Sequence, residues 1–84
     1  MTADPTPVVS GNGTSRERLL EERREIVRAA RVLLEALGDG APNGRDYIGE
    51  TDRLQEAIDQ NVRWQREVSG IIREITRQMI AIRG

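Results

Sequence analysis

Phenylalanine, histidine, cysteine and lysine are all missing from this 84-residue chain. Without Cys there is no disulfide and no thiolate metal site. Without His the commonest general base and metal ligand is gone. Without Phe the only aromatics are Tyr47 and Trp64, so the apolar core must be thin. Below roughly 80 residues a single core seldom supplies more than a few kcal/mol. With disulfides excluded, oligomerisation or docking on a larger partner is the remaining remedy. No run of about 18 apolar residues exists to span a membrane. Met1 to Thr14 has neither a basic nor an apolar region and does not read as a signal peptide. The charges nearly balance, 14 acidic against 13 basic, which argues against the one-signed basic face of a nucleic-acid binder. Every basic residue is Arg. That composition fits a GC-rich genome, or a surface built for bidentate ion pairs.

What is present is heptad spacing. Residues 51–82 read as one long helix with two apolar columns. One is Leu54, Asn61, Val68, Ile75, Ile82; the other is Thr51, Ile58, Gln65, Ile72, Met79. Such a seam asks to be covered by another helix. Residues 14–37 read as a shorter helix opened by a capping box, Thr14 to Glu17. Gly38 is placed to take the left-handed position after its end. Leu19, Ile26 and Leu33 form one column and Leu20, Val27 and Leu34 another, a stripe wide enough for more than one neighbour. Glu21–Arg24 and Glu25–Arg28 have the spacing of helix-surface ion pairs. Residues 1–13, with Pro5, Pro7, Gly11 and Gly13, read as a flexible, extended arm. Residues 38–50 form the internal loop, with a turn signal at Asn43-Gly44.

The expected fold is therefore all-α: an antiparallel two-helix hairpin with a long second helix and an extended N-terminal arm, oligomerising. At ~1.5 Å per residue the helices measure roughly 36 and 48 Å. Set back to back with Leu37 near Leu54 and Leu19 near Ile72, the second helix overhangs at its C-terminal end. Leu19, Ile26, Leu33, Ile58, Ile72 and Ile75 would hold the hairpin. Met79, Ile80 and Ile82 on the overhang, with Trp64 at the seam's edge, would contact a partner. Asn61, Gln65 and Arg23 interrupt the apolar columns and read as a polar layer that fixes register, or as a solvent-facing gap. Arg45 and Tyr47 either close the loop locally or project as a contact.

The loop has an EF-hand echo counted from Asp39, but Ala41 cannot ligate, Asp46 stands where an apolar residue belongs, and Pro42 distorts the turn. No metal and no cofactor is expected. The acids do not converge on a pocket, so no catalytic residue and no small-molecule substrate is expected either.

The run Asn43-Gly44-Arg45-Asp46-Tyr47 carries a resemblance. The stretch from Leu34 to Tyr47 resembles a group of small tailed-phage and prophage proteins that look like helical hairpins with this loop. An Arg-rich and Glu-rich second helix follows in them too, so the likeness spans roughly residues 15–82. Those proteins usually place a second Tyr after the run, where Ile48 stands here. The resemblance implies no catalytic residues. It implies a phage setting among virion-assembly genes: a small structural or accessory component, packing on itself or on a larger virion protein. Its place would be the virion, or the host cytoplasm before assembly. The competing expectation is a small dimeric regulator or antitoxin-like adaptor that binds one protein partner.

Overall fold

The computed structural model describes residues 15–84; the expected arm and the Thr14 cap lie outside the described residues. Two helices, α1 (Arg16–Asp39) and α2 (Thr51–Arg83), pack against each other, joined by a connection containing a 3₁₀ turn, Gly44–Tyr47. The described residues contain no strand. The all-α antiparallel hairpin with a longer second helix is what the heptads demand.

Helix α1 begins because Ser15 takes an extended conformation and its Oγ accepts the Arg18 backbone N–H at 3.2 Å. Its other end departs from expectation. Gly38 stays helical, the helix runs on to Asp39, and Gly40 follows with φ −92°, outside the left-handed region. The closing carbonyls find other donors. Ala36 accepts from Gly40 N at 2.9 Å and Gly38 from Ala41 N at 3.2 Å. The Leu37 carbonyl is reached across the hairpin by Asn61 Nδ2 at 3.0 Å. A side chain of α2 thus does for α1 what a left-handed glycine does elsewhere.

In the connection, Asn43 Oδ1 accepts Arg45 N at 2.8 Å, which starts the 3₁₀ turn. The residue that needs glycine is Gly49. Ile48 at φ −55°, ψ 123°, then Gly49 at φ +78°, with Glu50 N donating to Tyr47 O at 2.9 Å, make a type II turn into α2. Tyr47 is half-buried against the start of α2, whereas Ile48 is fully out in solvent and covers nothing.

This connection decides the register. The 3₁₀ turn lies along the first turns of α2, so α2 starts beyond the end of α1. Leu37 therefore meets Asn61 rather than Leu54, one heptad further along. The unequal length of α2 is taken up at the loop end, and the expected C-terminal overhang is not formed. Instead Ile82, only 5% exposed, packs with Leu19, Leu20 and Met79 as the main apolar cluster. Polar α2 residues (Asp52, Arg53, Gln55, Glu56) go to the loop end, where solvent is available. The apolar C-terminal turns go to the partner helix.

At the start of α1 both columns meet α2, through Leu19 and Leu20; further along only the Leu20 column faces it. Val27 and Leu34 are half-buried and Leu20 buried, while Ile26 and Leu33 are exposed. Two columns about 100° apart cannot both be covered along their whole length by one straight neighbour. Apart from Thr51, which is exposed, the α2 columns sit as expected, with Asn61, Val68 and Ile82 buried and Leu54, Ile58, Gln65, Ile72, Ile75 and Met79 half-buried.

Gly70 lies mid-helix in α2, half-buried, and a Cβ there would meet only the mobile end of Arg73 at 3.7 Å. Gly70→Ala should therefore stabilise the chain by about 1 kcal/mol. A thermal melt followed by circular dichroism should move up by roughly 4–8 °C. An unchanged or lower midpoint would mean that α2 is bent or closely approached at that position.

Candidate interaction face

The two flanks of the hairpin differ in chemistry. On one, Arg24, Val27, Arg28 and Arg31 of α1 and Thr76 and Met79 of α2 line a shallow groove of about 350 Å³. Two of its arginines are engaged along their own helix: Arg24 with Glu21 at 3.2 Å and Arg28 with Glu25 at 2.6 Å. The Arg28 hydrogen bond, then its charge, holds the Glu25 carboxyl below its ordinary range and raises Arg28. Both groups are solvent-exposed, so the pair serves mainly to keep a wet face helical.

The other flank is marked by Arg23. Its Nε donates to Gln78 Oε1 at 3.2 Å across the hairpin, and its Nη1 donates to the Leu19 carbonyl at 3.4 Å. On α1, Arg23 sits between Leu19 and Ile26, next to the column that continues to Leu33. On α2, Gln78 ends the heptad column Trp64, Ile71, Gln78. The cross-link puts both columns on one side. Four large apolar side chains then stand together, about half exposed: Ile26 (44%), Leu33 (51%), Trp64 (42%) and Ile71 (51%).

The composition of α1 makes the same point. From Ile26 to Leu37 only Arg28, Arg31 and Glu35 are charged; the other nine residues are apolar. Helix α2 covers part of that segment, leaving Ile26, Ala29, Val32, Leu33 and Ala36 exposed. A helix apolar nearly all round belongs in an interior.

The polar seam residues form two bridges between the helices. Asn61, 6% exposed, donates to the Leu37 carbonyl and accepts a hydrogen bond from Gln65 Nε2. Arg23 and Gln78 make the second. No buried polar side-chain atom among the described residues lacks a partner. These contacts fix which turn of α1 meets which turn of α2.

The partner-contact residues expected from sequence fall in separate places. Trp64 is on the apolar face. Ile80 is exposed but lies one turn from Thr76, on the arginine flank. Ile82 is in the core and Met79 is half-buried against it, because the register shift docks the C-terminal turns on α1. Arg45 is exposed in the 3₁₀ turn, and Tyr47 lines a small depression with Arg53, Glu56, Ala57 and Gln60. Ile26, Leu33 and Ile71 complete the face around Trp64. Their signal is the Leu19–Ile26–Leu33 column on α1 and a third column, Trp64–Ile71–Gln78, on α2.

Among the described residues no helix is long and apolar enough to cross a membrane, and no group of three or more acidic side chains gathers to hold a metal ion. No protein-family model, curated protein or solved structure matches the chain significantly.

Proposed function

We propose that this chain is a non-enzymatic assembly protein, a helical hairpin that works by laying its apolar face on another helical surface. The observation that carries this reading is the exposed row Ile26, Leu33, Trp64 and Ile71, contributed by both helices. Rows of this kind on small proteins are contact surfaces. The absence of His and Cys, and the distribution of acids along wet helix faces, support a role without catalysis. The Asn43–Tyr47 loop run supports a phage setting. In that setting the chain is a small structural or accessory component of the particle, located in the virion or, before assembly, in the host cytoplasm.

The test is quantitative mass spectrometry of purified particles from cells carrying the gene. The chain is expected in a fixed copy number per particle. Leu33→Glu with Ile71→Glu should lower its incorporation by about tenfold or more, the equivalent of ~1.4 kcal/mol or greater. A chain absent from particles but recovered at fixed stoichiometry with one protein target would identify the regulator or adaptor instead.

A further inference from the structure

We infer that the occupant of the apolar face is a second copy of this chain, two hairpins stacking face to face as a four-helix bundle. This rests on reading the face as an assembly surface and adds what covers it.

Geometry is the first argument. The contacts Arg23–Gln78 and Leu37–Asn61 set Ile26 within about a turn of Ile71, and Leu33 within about a turn of Trp64. Each helix thus presents a large apolar residue every ~10.5 Å, two levels deep. A surface built from two antiparallel helices with that repeat is matched by another such surface, the arrangement of four-helix bundles.

Area is the second. The exposed parts of these four side chains amount to roughly 400 Å² per copy, within the ~300–600 Å² of the largest patch on typical monomers. On two copies these side chains supply roughly 800 Å², the apolar centre of an interface whose specific forms bury ~1,200–2,000 Å² once a polar rim is included.

Charge is the third. The chain carries a net charge of −1, so two copies do not repel, and no strong field selects an oppositely charged partner. Finally, no large side chain among the described residues is fully enclosed in the single hairpin. Self-stacking supplies the missing layer to both copies at once, using the same residues twice.

Trp64 is the only tryptophan, so the interface carries its own reporter. The full-length chain should be followed by light scattering and by acrylamide quenching of Trp64 from about 1 to about 100 μM, a range that brackets ordinary homodimer affinities. The expected result is a mass of twice 9.4 kDa at the upper end, with quenching of Trp64 falling in step as the mass rises. Leu33→Glu with Ile71→Glu should raise the dissociation constant about 100-fold, whereas Ile80→Glu on the other flank should leave it unchanged.

A wild-type chain that stays at single mass with equally accessible Trp64 throughout would overturn the inference, whether or not the double variant folds. So would a dimer indifferent to Leu33 and Ile71. The two readings fail separately. A monomer whose entry into particles still needs Leu33 and Ile71 removes self-pairing and keeps the assembly role. A Trp64-shielded dimer absent from particles does the reverse.

Discussion

Asn61→Asp should be strongly damaging to the seam, costing about 3–5 kcal/mol at neutral pH. The asparagine amide is a donor to the Leu37 carbonyl and its oxygen an acceptor from Gln65, at a site almost closed to solvent. A carboxylate keeps the second contact and inverts the first. It points a negative charge at a carbonyl lone pair and removes the cap from the end of α1. Burial and that carbonyl both disfavour the charged form, so the folded-state pKa of the new carboxyl rises above its unfolded value near ~3.9. When protonated, it can donate to Leu37. Relative to wild type, the variant should therefore lose little below about pH 4, where the group is neutral in both states. The deficit should grow as the unfolded chain ionises and level off above the raised folded-state pKa. Urea titrations of both proteins at acid and neutral pH read this directly. A deficit that is small and independent of pH would show that Asn61 is hydrated and does not fix the register.

The same residue explains how much of the fold is legible in sequence and where legibility stops. Period and length are local properties. The positions of α2 that face inward, from Leu54 to Ile82, follow from the heptads, as do the helical ion pairs Glu21–Arg24 and Glu25–Arg28. Register is not local. A seam that repeats every seven residues looks much the same when one helix is displaced by seven, so Leu37 beside Leu54 and Leu37 beside Asn61 are equally good apolar patterns. The choice is made by groups whose partners lie far along the chain: the amide of Asn61, the Arg23–Gln78 bridge, and a connection that spends its length on the 3₁₀ turn and the Gly49 turn. The face has the same history. Two columns on α1 are visible in the sequence, but which one α2 takes is settled only once the register places Arg23 against Gln78. After that, Ile26 and Leu33 are left outside with Trp64 and Ile71.

A second large loss is expected at the opposite end of the seam. Ile82→Ala should cost about 2–4 kcal/mol, and Ile82→Asp more. Ile82 is the last anchor of α2, one residue before the helix ends at Arg83, and it packs on Leu19 and Leu20 at the start of α1. Truncation leaves a void between two helix ends that have no loop to hold them together; the connection lies at the far end of the molecule. An Asp there also puts negative charge on the C-terminal end of the helix macrodipole. Local opening should follow: amide exchange should accelerate in the last turns of α2 and the first turns of α1, while the segment around Asn61 keeps its protection longest. Ile80→Ala is the internal control. Ile80 lies two residues away at 62% exposure, and its truncation should change the melt by no more than about 0.5 kcal/mol. If α2 instead ran past α1 as a free overhang, both substitutions would leave the hairpin's melt unchanged and weaken only its association. A difference between Ile82 and Ile80 in the melt of the isolated chain therefore separates the two registers.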